Sequence, residues 1–462
     1  MTPEQDTVHA RILSALERED DGELVAALAD ARAADIAEAF HLLPDEARSR
    51  LLFALPPRIA AEVIVLLDEA LRGEIVDEMD AASISEIVSE LQPDDAADVL
   101  GELDSHDVGE ILEHLVDEQS EQIEGLLGYD ESTAGGIMTP DVLAVPSNLT
   151  VAEAAEQVRN ANPDEDLNEV YIVDDDHRLM GTVPLRKLVT SRPATRLGDL
   201  CDPDPVTVYV DDDQETVVQI IRKYDAIEAA VIDRERHLVG RITHDDLLDV
   251  AAEEAAEDLY RMAGTDAAEL ETASVVRAAR VRLTWLLPCM GGMLLSATVL
   301  KVFETSFHVG LFASLALFVP MIGAIGGNSG IQTSTVIVRG FATGELASTK
   351  FLRALLREGR IALLMAPVCG TAAWLLVSAF FPLFGSISAS GSAVVEVRRI
   401  AIAVGIAMTT AILIAATLGL ALPFSFRKFG VDPAIASGPL VTTANDVLSV
   451  FIYMTVASVI AS

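Results

Sequence analysis

Five apolar stretches, each long enough to cross a bilayer, crowd into the last two-fifths of this 462-residue chain. They run roughly over residues 283–303, 310–338, 361–385, 400–426 and 437–461, and about 20 residues suffice to span the hydrocarbon core. No charged residue lies between Glu304 and Arg339, between Arg360 and Glu396, or between Arg399 and Arg427. Apolar runs of this kind satisfy their backbone only as helices. The rest of the chain is opposite in character. From residue 281 onward there are 11 basic and 6 acidic residues, a net of +5, which leaves 21 basic and 66 acidic residues before it, a net of −45. An acidic aqueous part, large enough for two domains, therefore precedes a membrane part. Such a surface repels phosphate, so no nucleic acid is expected as a partner. Its natural counter-ions are cations.

Basic residues set the expected orientation. Arg277, Arg280 and Arg282 precede the first span, Arg339, Lys350, Arg353, Arg357 and Arg360 lie between the second and third, and Arg427 and Lys428 between the fourth and fifth. The other side receives only Lys301, Arg398 and Arg399. The acidic part is thus expected in the cytoplasm, the C-terminus outside, and the protein in the cell membrane in contact with lipid. The N-terminus has neither a basic n-region nor an apolar h-region, so no signal peptide is expected. Cys201, Cys289 and Cys369 form no CxxC pair, which fits a reducing compartment.

Within the acidic part, turn-type residues recur at Pro44, Pro56, Asp68, Asp80, Pro93 and Asp104, about a dozen positions apart. Each precedes a short amphipathic run such as DEARSRLLFAL or DAADVLGEL, and Pro and Asp both favour helix starts. Short helices that cannot bury a face alone predict a small α-superhelix. The alternative is an ordinary bundle with coincidental spacing.

From Met138 the pattern changes to strands alternating with helices. Residues VLAVPS, TVAEAAEQVRNA, EVYIVDDD, RLMGTVP and RKLV form one unit, and PVTVYVDD, ETVVQIIRKY and AAVIDRERHLVGRITHDDLLDV repeat its order. The repeat is similar to a pair of CBS domains, a family that often senses nucleotides. Its adenosine-binding pattern has a match in the second unit at Gly240, Thr243 and Asp246, whose hydroxyl and carboxylate suit a ribose. In the first unit Pro184 and Lys187 stand in the equivalent places. ATP or another adenine nucleotide is therefore a candidate ligand at the second unit; a purely transmitting, dimerising module is the other reading. The segment HDDLLDVAAEEAAEDLYRMAG then reads as an acidic helix directly before the membrane, with like charges three and four residues apart that repel one another.

Asp446 is the one charged residue between Asp432 and Ser462, inside the last apolar stretch. A carboxylate at a helix centre costs about 2.5–3.5 kcal/mol on insertion scales, so an intramembrane Asp is read as functional by default. Thr442, Thr443 and Asn445 add oxygens around it, while the second stretch carries Pro320 and then GAIGGNSGIQTST, including Gly326, Gly327, Asn328 and Gln332. Small-residue, interrupted helix in hydrocarbon lines a cavity or permits close helix contact. These two stretches predict a cation path.

The segments YDESTAGGIMT (129–139), EEAAEDLYRMAG (253–264), RLTWLL (282–287), FVPMIGAIGGNSGIQTSTVIVRG (318–340), LREG (356–359) and DPAIASGPLVTTANDV (432–447) together resemble the MgtE-type magnesium channels and transporters over nearly the whole chain. The resemblance implies an all-α N-terminal superhelix (1–128), tandem α/β CBS units (129–198 and 199–250), a connecting "plug" helix (251–276) and a five-helix transmembrane domain (277–462), assembled as a homodimer. It implies one ion path at the dimer axis, lined by the second and fifth spans, with Asp446 as the metal-facing carboxylate. It also implies regulatory Mg²⁺ held by Asp94 and Asp98 in the N-domain, Asp225 and Asp246 in the second CBS unit, and Asp249, Glu257 and Asp258 around the plug.

Mg²⁺ prefers octahedral oxygen coordination and sheds water reluctantly, so a pore for it grips the hydrated ion. A two-fold axis brings two copies of Asp446 together as a charged ring. Like charges about 4 Å apart repel by about 4 kcal/mol at an effective dielectric of 20, and swinging a gate from 1:99 to 99:1 takes about 5.5 kcal/mol. A few acidic pairs, repelling when bare and bridged by Mg²⁺, are enough for feedback closure. Two rival readings remain open: transport of another divalent cation such as Mn²⁺ or Co²⁺, and a membrane-bound nucleotide sensor that conducts nothing. No HExxH, GxSxG or nucleophile–base motif points to an enzyme.

Overall fold

The structure, a computed structural model, describes residues 11–12, 28, 31–77, 79–103, 105–161, 167–266, 275–346, 351–384, 391–436 and 438–460. Most of the first thirty residues of the expected N-domain lie outside them. The chain divides into two compact units, Met1–Ala252 and Glu253–Ser462.

In the first unit, eight short helices begin at residues 33, 45, 57, 69, 81, 93, 105 and 117, a period of twelve. They are α1 (Ala33–Phe40), α2 (Asp45–Ala54), α3 (Pro57–Val65), α4 (Glu69–Asp77), α5 (Ala81–Val88), α6 (Pro93–Gly101), α7 (Ser105–Leu112) and α8 (Asp117–Leu126). The recurring turn residues set this period. Asp80 caps α5 by accepting from the Ser83 amide at 2.9 Å, Asp68 accepts from the Leu71 amide at 2.9 Å, and Pro57 and Pro93 occupy first turns. Helices α1, α3, α5 and α7 pack in series, each on the next of the four, so the repeat is a stacked superhelix whose inner residues join one apolar core.

Two three-stranded sheets follow with one topology. Strand β1 (Ala144–Pro146) pairs parallel with β2 (Glu169–Val173), which pairs antiparallel with β3 (Leu179–Pro184). β4 (Thr207–Tyr209), β5 (Ala229–Ile232) and β6 (Leu238–Ile242) repeat this order, including the irregularity near the end of the central strand. Helix α9 (Val151–Asn160) begins with a Thr150–Glu153 capping box, α10 (Leu185–Thr190) follows β3, and α11 (Gln214–Tyr224) lies between β4 and β5. The sheets share a core of Tyr171, Val173 and Leu179 with Ala230, Ile232 and Leu238. Beside it the buried Glu228 carboxylate accepts from the Tyr171 hydroxyl at 2.8 Å and pairs with Arg241 at 3.3 Å.

Helix α12 (His244–Ala263) is continuous across residue 250, where a boundary between the second CBS unit and the plug was expected. Its first half belongs to the first unit and its second half to the second.

Among the described residues of the second unit, five helical spans are long and apolar enough to cross a membrane. They are α13 (Val275–Glu304), the pair α14 (Val309–Ala316) and α15 (Val319–Ala342), α16 (Phe351–Phe384), α17 (Gly391–Lys428) and α18 (Pro439–Ile460). The second span is interrupted at Leu317–Phe318, and Pro320 starts the new helix in its first turn. Helix α17 is the most buried and packs on α15, α16 and α18, whereas α13 is largely uncovered by the chain itself.

Candidate functional site: an intramembrane carboxylate and two acidic clusters

Helices α15 and α18 approach closely because α15 is glycine on the contact face. A Cβ on Gly326 would lie 2.9 Å from Asn445 Nδ2 and 3.1 Å from Ser449 Oγ, and one on Gly330 would lie 2.9 Å from Val441 Cγ1. All three contacts are tighter than a side chain tolerates without displacement, so small residues set the helix spacing. Asn445 is buried and donates to the Gly323 carbonyl at 3.4 Å, while Ser449 donates to Asn445 Oδ1 at 3.3 Å. The neighbouring Asp446 is half-buried, with one carboxylate oxygen 3.2 Å from the point where a Gly323 Cβ would stand.

This geometry sorts the residues expected along the path. Gly326, Gly327 and Asn445 are consumed in packing α15 against α18. Thr443 returns its hydroxyl to the Pro439 carbonyl at 2.7 Å and lays its methyl against Gly292 of the first span, not against α15. Thr442 is half-buried beside Gly327, with its hydroxyl on the Gly438 carbonyl at 3.1 Å. Asn328 and Gln332, four residues apart on one stripe of α15, are exposed, as is Pro320. An amide stripe left bare on a helix of a membrane unit needs water, an ion or a second helix against it.

In the first unit, Asp94 and Asp95 open α6 and meet Asp246 of α12. Burial, then repulsion from Asp246 and Asp95, pushes the Asp94 carboxyl up to about 8. Its Oδ1 is buried and has no hydrogen-bond partner. Asp95 rises to about 6 through burial and the charges of Asp246 and Asp245. Asp98 rises to about 7 by burial, against the lowering effect of Arg72. Asp246 is raised by burial although it accepts from the Thr243 hydroxyl at 2.6 Å. The Thr243–Asp246 pair expected to face a ribose therefore faces the acidic start of α6, and Gly240 lies under Met138 and Thr139. Asp249 adds its charge to the same cluster. Asp225 stands apart: it is exposed at the C-cap of α11 with φ +52°, and among the described residues no hydrogen bond or ion pair ties it to the cluster.

A second acidic group lies in the second unit. Burial, then Asp432 and Glu254, pushes Asp258 up to about 6, and burial also raises Glu257. Arg261 bridges Glu257 and Asp432. Among the described residues, no group of three or more His, Cys, Asp or Glu is placed so as to hold a metal ion. The donor chemistry nonetheless suits a hard cation: all-carboxylate oxygens, mutually repelling, one of them buried and unpartnered. Sequence reasoning gave no site role to Asp95, Arg261 and Asp432, and counted Asp245 only in the acidic helix. Asp95 was signalled by its place beside Asp94, and Asp432 by opening the segment DPAIASGPL.

A membrane protein with paired CBS modules, an acidic connecting helix and a carboxylate within its last span has, by fold and site, the make-up of a cation transporter. Comparison with known proteins bears this out. The family model described as "Divalent cation transporter" matches residues 319–456, that of the MgtE intracellular N domain residues 31–132, and that of the CBS domain residues 134–193 and 197–253. Magnesium transporter MgtE of Thermus thermophilus is 34% identical over 74% of this chain and 73% of its own length. The same-named protein of Enterococcus faecalis is 34% identical over 74% and 72%. The crystal structure of the cytosolic domain of the Mg²⁺ channel MgtE in complex with ATP matches 52% of this chain and 99% of that one, at 33% identity and a TM-score of 0.50. The chain belongs to the MgtE family.

Proposed function

We propose that this protein carries Mg²⁺ into the cell as a homodimer, with the first unit and α12 in the cytoplasm and the C-terminus outside. The observation that carries the reading is Asp446, a half-buried carboxylate held against Gly323 on the glycine face of α15, the helix that also carries the exposed Asn328 and Gln332. A two-fold axis along that face would set two Asp446 side chains opposite each other as a ring for a hydrated divalent ion. Removing the carboxylate removes the ion's attraction without touching the Asn445–Gly323 contact that packs the helices.

Regulation follows from the acidic clusters. When cytoplasmic Mg²⁺ is low, Asp94, Asp95, Asp98, Asp246 and Asp249 repel, and the N-terminal superhelix separates from the CBS pair. When Mg²⁺ is high it bridges these carboxylates, and Glu257 and Asp258 likewise, and the path closes. Asp225 is a regulatory ligand only across a partner subunit. ATP or a related nucleotide binds the second CBS unit through Thr243 in this reading, supported by the ATP complex of the related cytosolic domain, and competes with Asp94 for the orientation of Asp246.

The test is Mg²⁺ flux into proteoliposomes, wild type against Asp446→Ala, with internal Mg²⁺ varied. Wild-type uptake that falls as internal Mg²⁺ rises, and no uptake by the assembled variant, is the expected result. Full uptake by Asp446→Ala overturns the path, and uptake of Mn²⁺ or Co²⁺ in preference to Mg²⁺ overturns the cargo.

A further inference from the structure

The end of α12 is fastened to the start of α18 by a permanent cation of the chain itself. Arg261, in the last turn of α12, is half-buried and bonds Glu257 one turn back and Asp432 across the fold. Asp432 uses its two oxygens separately: Oδ2 accepts from Arg261, and Oδ1 accepts from the Ala434 amide at 2.7 Å, fixing the turn that leads into α18. The surfaces beneath are fitted together. Gly264 has φ +79°, and a Cβ there would lie 2.7 Å from Pro439 Cγ, while Gly438 sits directly on the Met262 carbonyl. Trp285 of the first span packs on the same glycine. Glu257, Asp258, Asp266 and Asp432 stand near this guanidinium, and Glu254 lies beside Glu257 and Asp258.

We propose that Arg261 is a positioning residue, a built-in counter-ion that holds the end of α12 on the Asp432–Pro439 segment in the absence of regulatory Mg²⁺ and so sets how far the path leaks when that ion is scarce. The proposal rests on the feedback reading above. Guanidinium keeps its proton at any physiological pH and forks to two carboxylates, so the cation of this clasp neither titrates nor washes out. Two carboxylates already share this guanidinium, and Asp258 and Glu254 crowd the same helix end, so Arg261 alone does not balance the negative charge. Mg²⁺ therefore adds to the clasp, and the clasp matters most without it.

The experiment uses the full chain with Arg261→Gln, Arg261→Lys and Asp432→Asn, read in two ways. Asn keeps the cap on Ala434, so Asp432→Asn removes only the charge partner. In Mg²⁺-free buffer, hydrogen exchange across residues 254–263 should quicken about threefold to tenfold in Arg261→Gln and Asp432→Asn, with no further gain in the double variant, and Arg261→Lys should fall between. Flux at zero internal Mg²⁺ should rise in the same order and return to the wild-type level at saturating Mg²⁺. Unchanged exchange in Arg261→Gln overturns the clasp. Quickened exchange with unchanged flux, in a wild type that responds to internal Mg²⁺, overturns its control of the path. Quickened exchange in a wild type indifferent to internal Mg²⁺ upholds the clasp and overturns the feedback reading instead.

Discussion

Asn445 donates its side-chain amide to the main-chain carbonyl of Gly323 at 3.4 Å, and this contact sets where the adjacent Asp446 stands. The amide belongs to the packing, and in the proposed path the carboxylate serves the ion. The glycines opposite them leave room for both.

Gly326→Ala is expected to disturb transport without removing any polar group. Its new methyl would meet Asn445 Nδ2 at 2.9 Å and Ser449 Oγ at 3.1 Å, and relieving such overpacking typically costs about 1–3 kcal/mol. Thermal unfolding in detergent should fall, and flux with it. Gly359→Ala is the matched control, because a Cβ there has nothing within 4 Å. Equal behaviour of the two variants would count against the glycine face as the determinant of helix spacing.

Asp94→Asn separates repulsion from ligation. The neutral amide relieves the crowding of Asp94, Asp95 and Asp246 but is a poorer donor to a divalent ion. Protease resistance of the N-terminal unit in EDTA should therefore rise above wild type, and the extra resistance given by millimolar Mg²⁺ should shrink. A variant as Mg²⁺-responsive as wild type would remove Asp94 from the regulatory set.

The periodic parts of this architecture were legible in the sequence. Helix starts twelve residues apart announce themselves through Pro44, Pro56, Asp68, Asp80 and Pro93, because caps and first-turn prolines act within one turn of the chain. Two sheets with one strand order follow from a tandem repeat, and five spans from uninterrupted apolar length. Partnerships across the chain were not legible. Arg261 and Asp432 lie 171 positions apart, and nothing local in the last turn of α12 distinguishes a surface arginine from a bridge. Thr443 and Asn445 looked like oxygens for an ion, but rotation about α18 sends the first toward Gly292 and the second toward Gly323. A helical stripe fixes which residues share a face; the neighbour that face meets is a tertiary fact.

The Glu228–Arg241 pair inside the CBS module should be costly to break. Both side chains are about 98% buried, and Glu228 also accepts from Tyr171 at 2.8 Å and Asn168 at 3.4 Å. Burial raises the Glu228 carboxyl, against the lowering effects of Tyr171 and Arg241. Arg241→Met strips the cation and leaves the carboxylate in apolar surroundings, for which about 3–5 kcal/mol of lost stability is expected. Adding Glu228→Gln should recover part of it, since an amide carries no charge to desolvate. Thermal or denaturant unfolding of wild type and the two variants decides the matter, and a loss no larger than that of an exposed pair would mean the network is more solvated than its burial implies.

The same physics at the surface between α6 and α12 gives a dependence on pH with a definite sign. Docked, Asp94, Asp98 and Asp95 titrate near 8, 7 and 6 respectively, against 3.8 for an ordinary aspartate. The docked arrangement therefore holds protons that the separated domains release. Its stabilisation is complete below about pH 4 and is lost as pH rises through 6 to 8. In EDTA, protease protection of the N-terminal unit should be stronger at pH 6 than at pH 8. Mg²⁺ replaces the protons as the neutralising charge, so the increment it gives should grow over the same interval. At pH 8 wild type and Asp94→Asn should differ most without Mg²⁺, because there the variant lacks the charge whose suppression the wild type has just lost. A protection profile in EDTA that is flat from pH 6 to pH 8 would show that these carboxylates are already separated in solution, with repulsion relieved by movement and not by protonation.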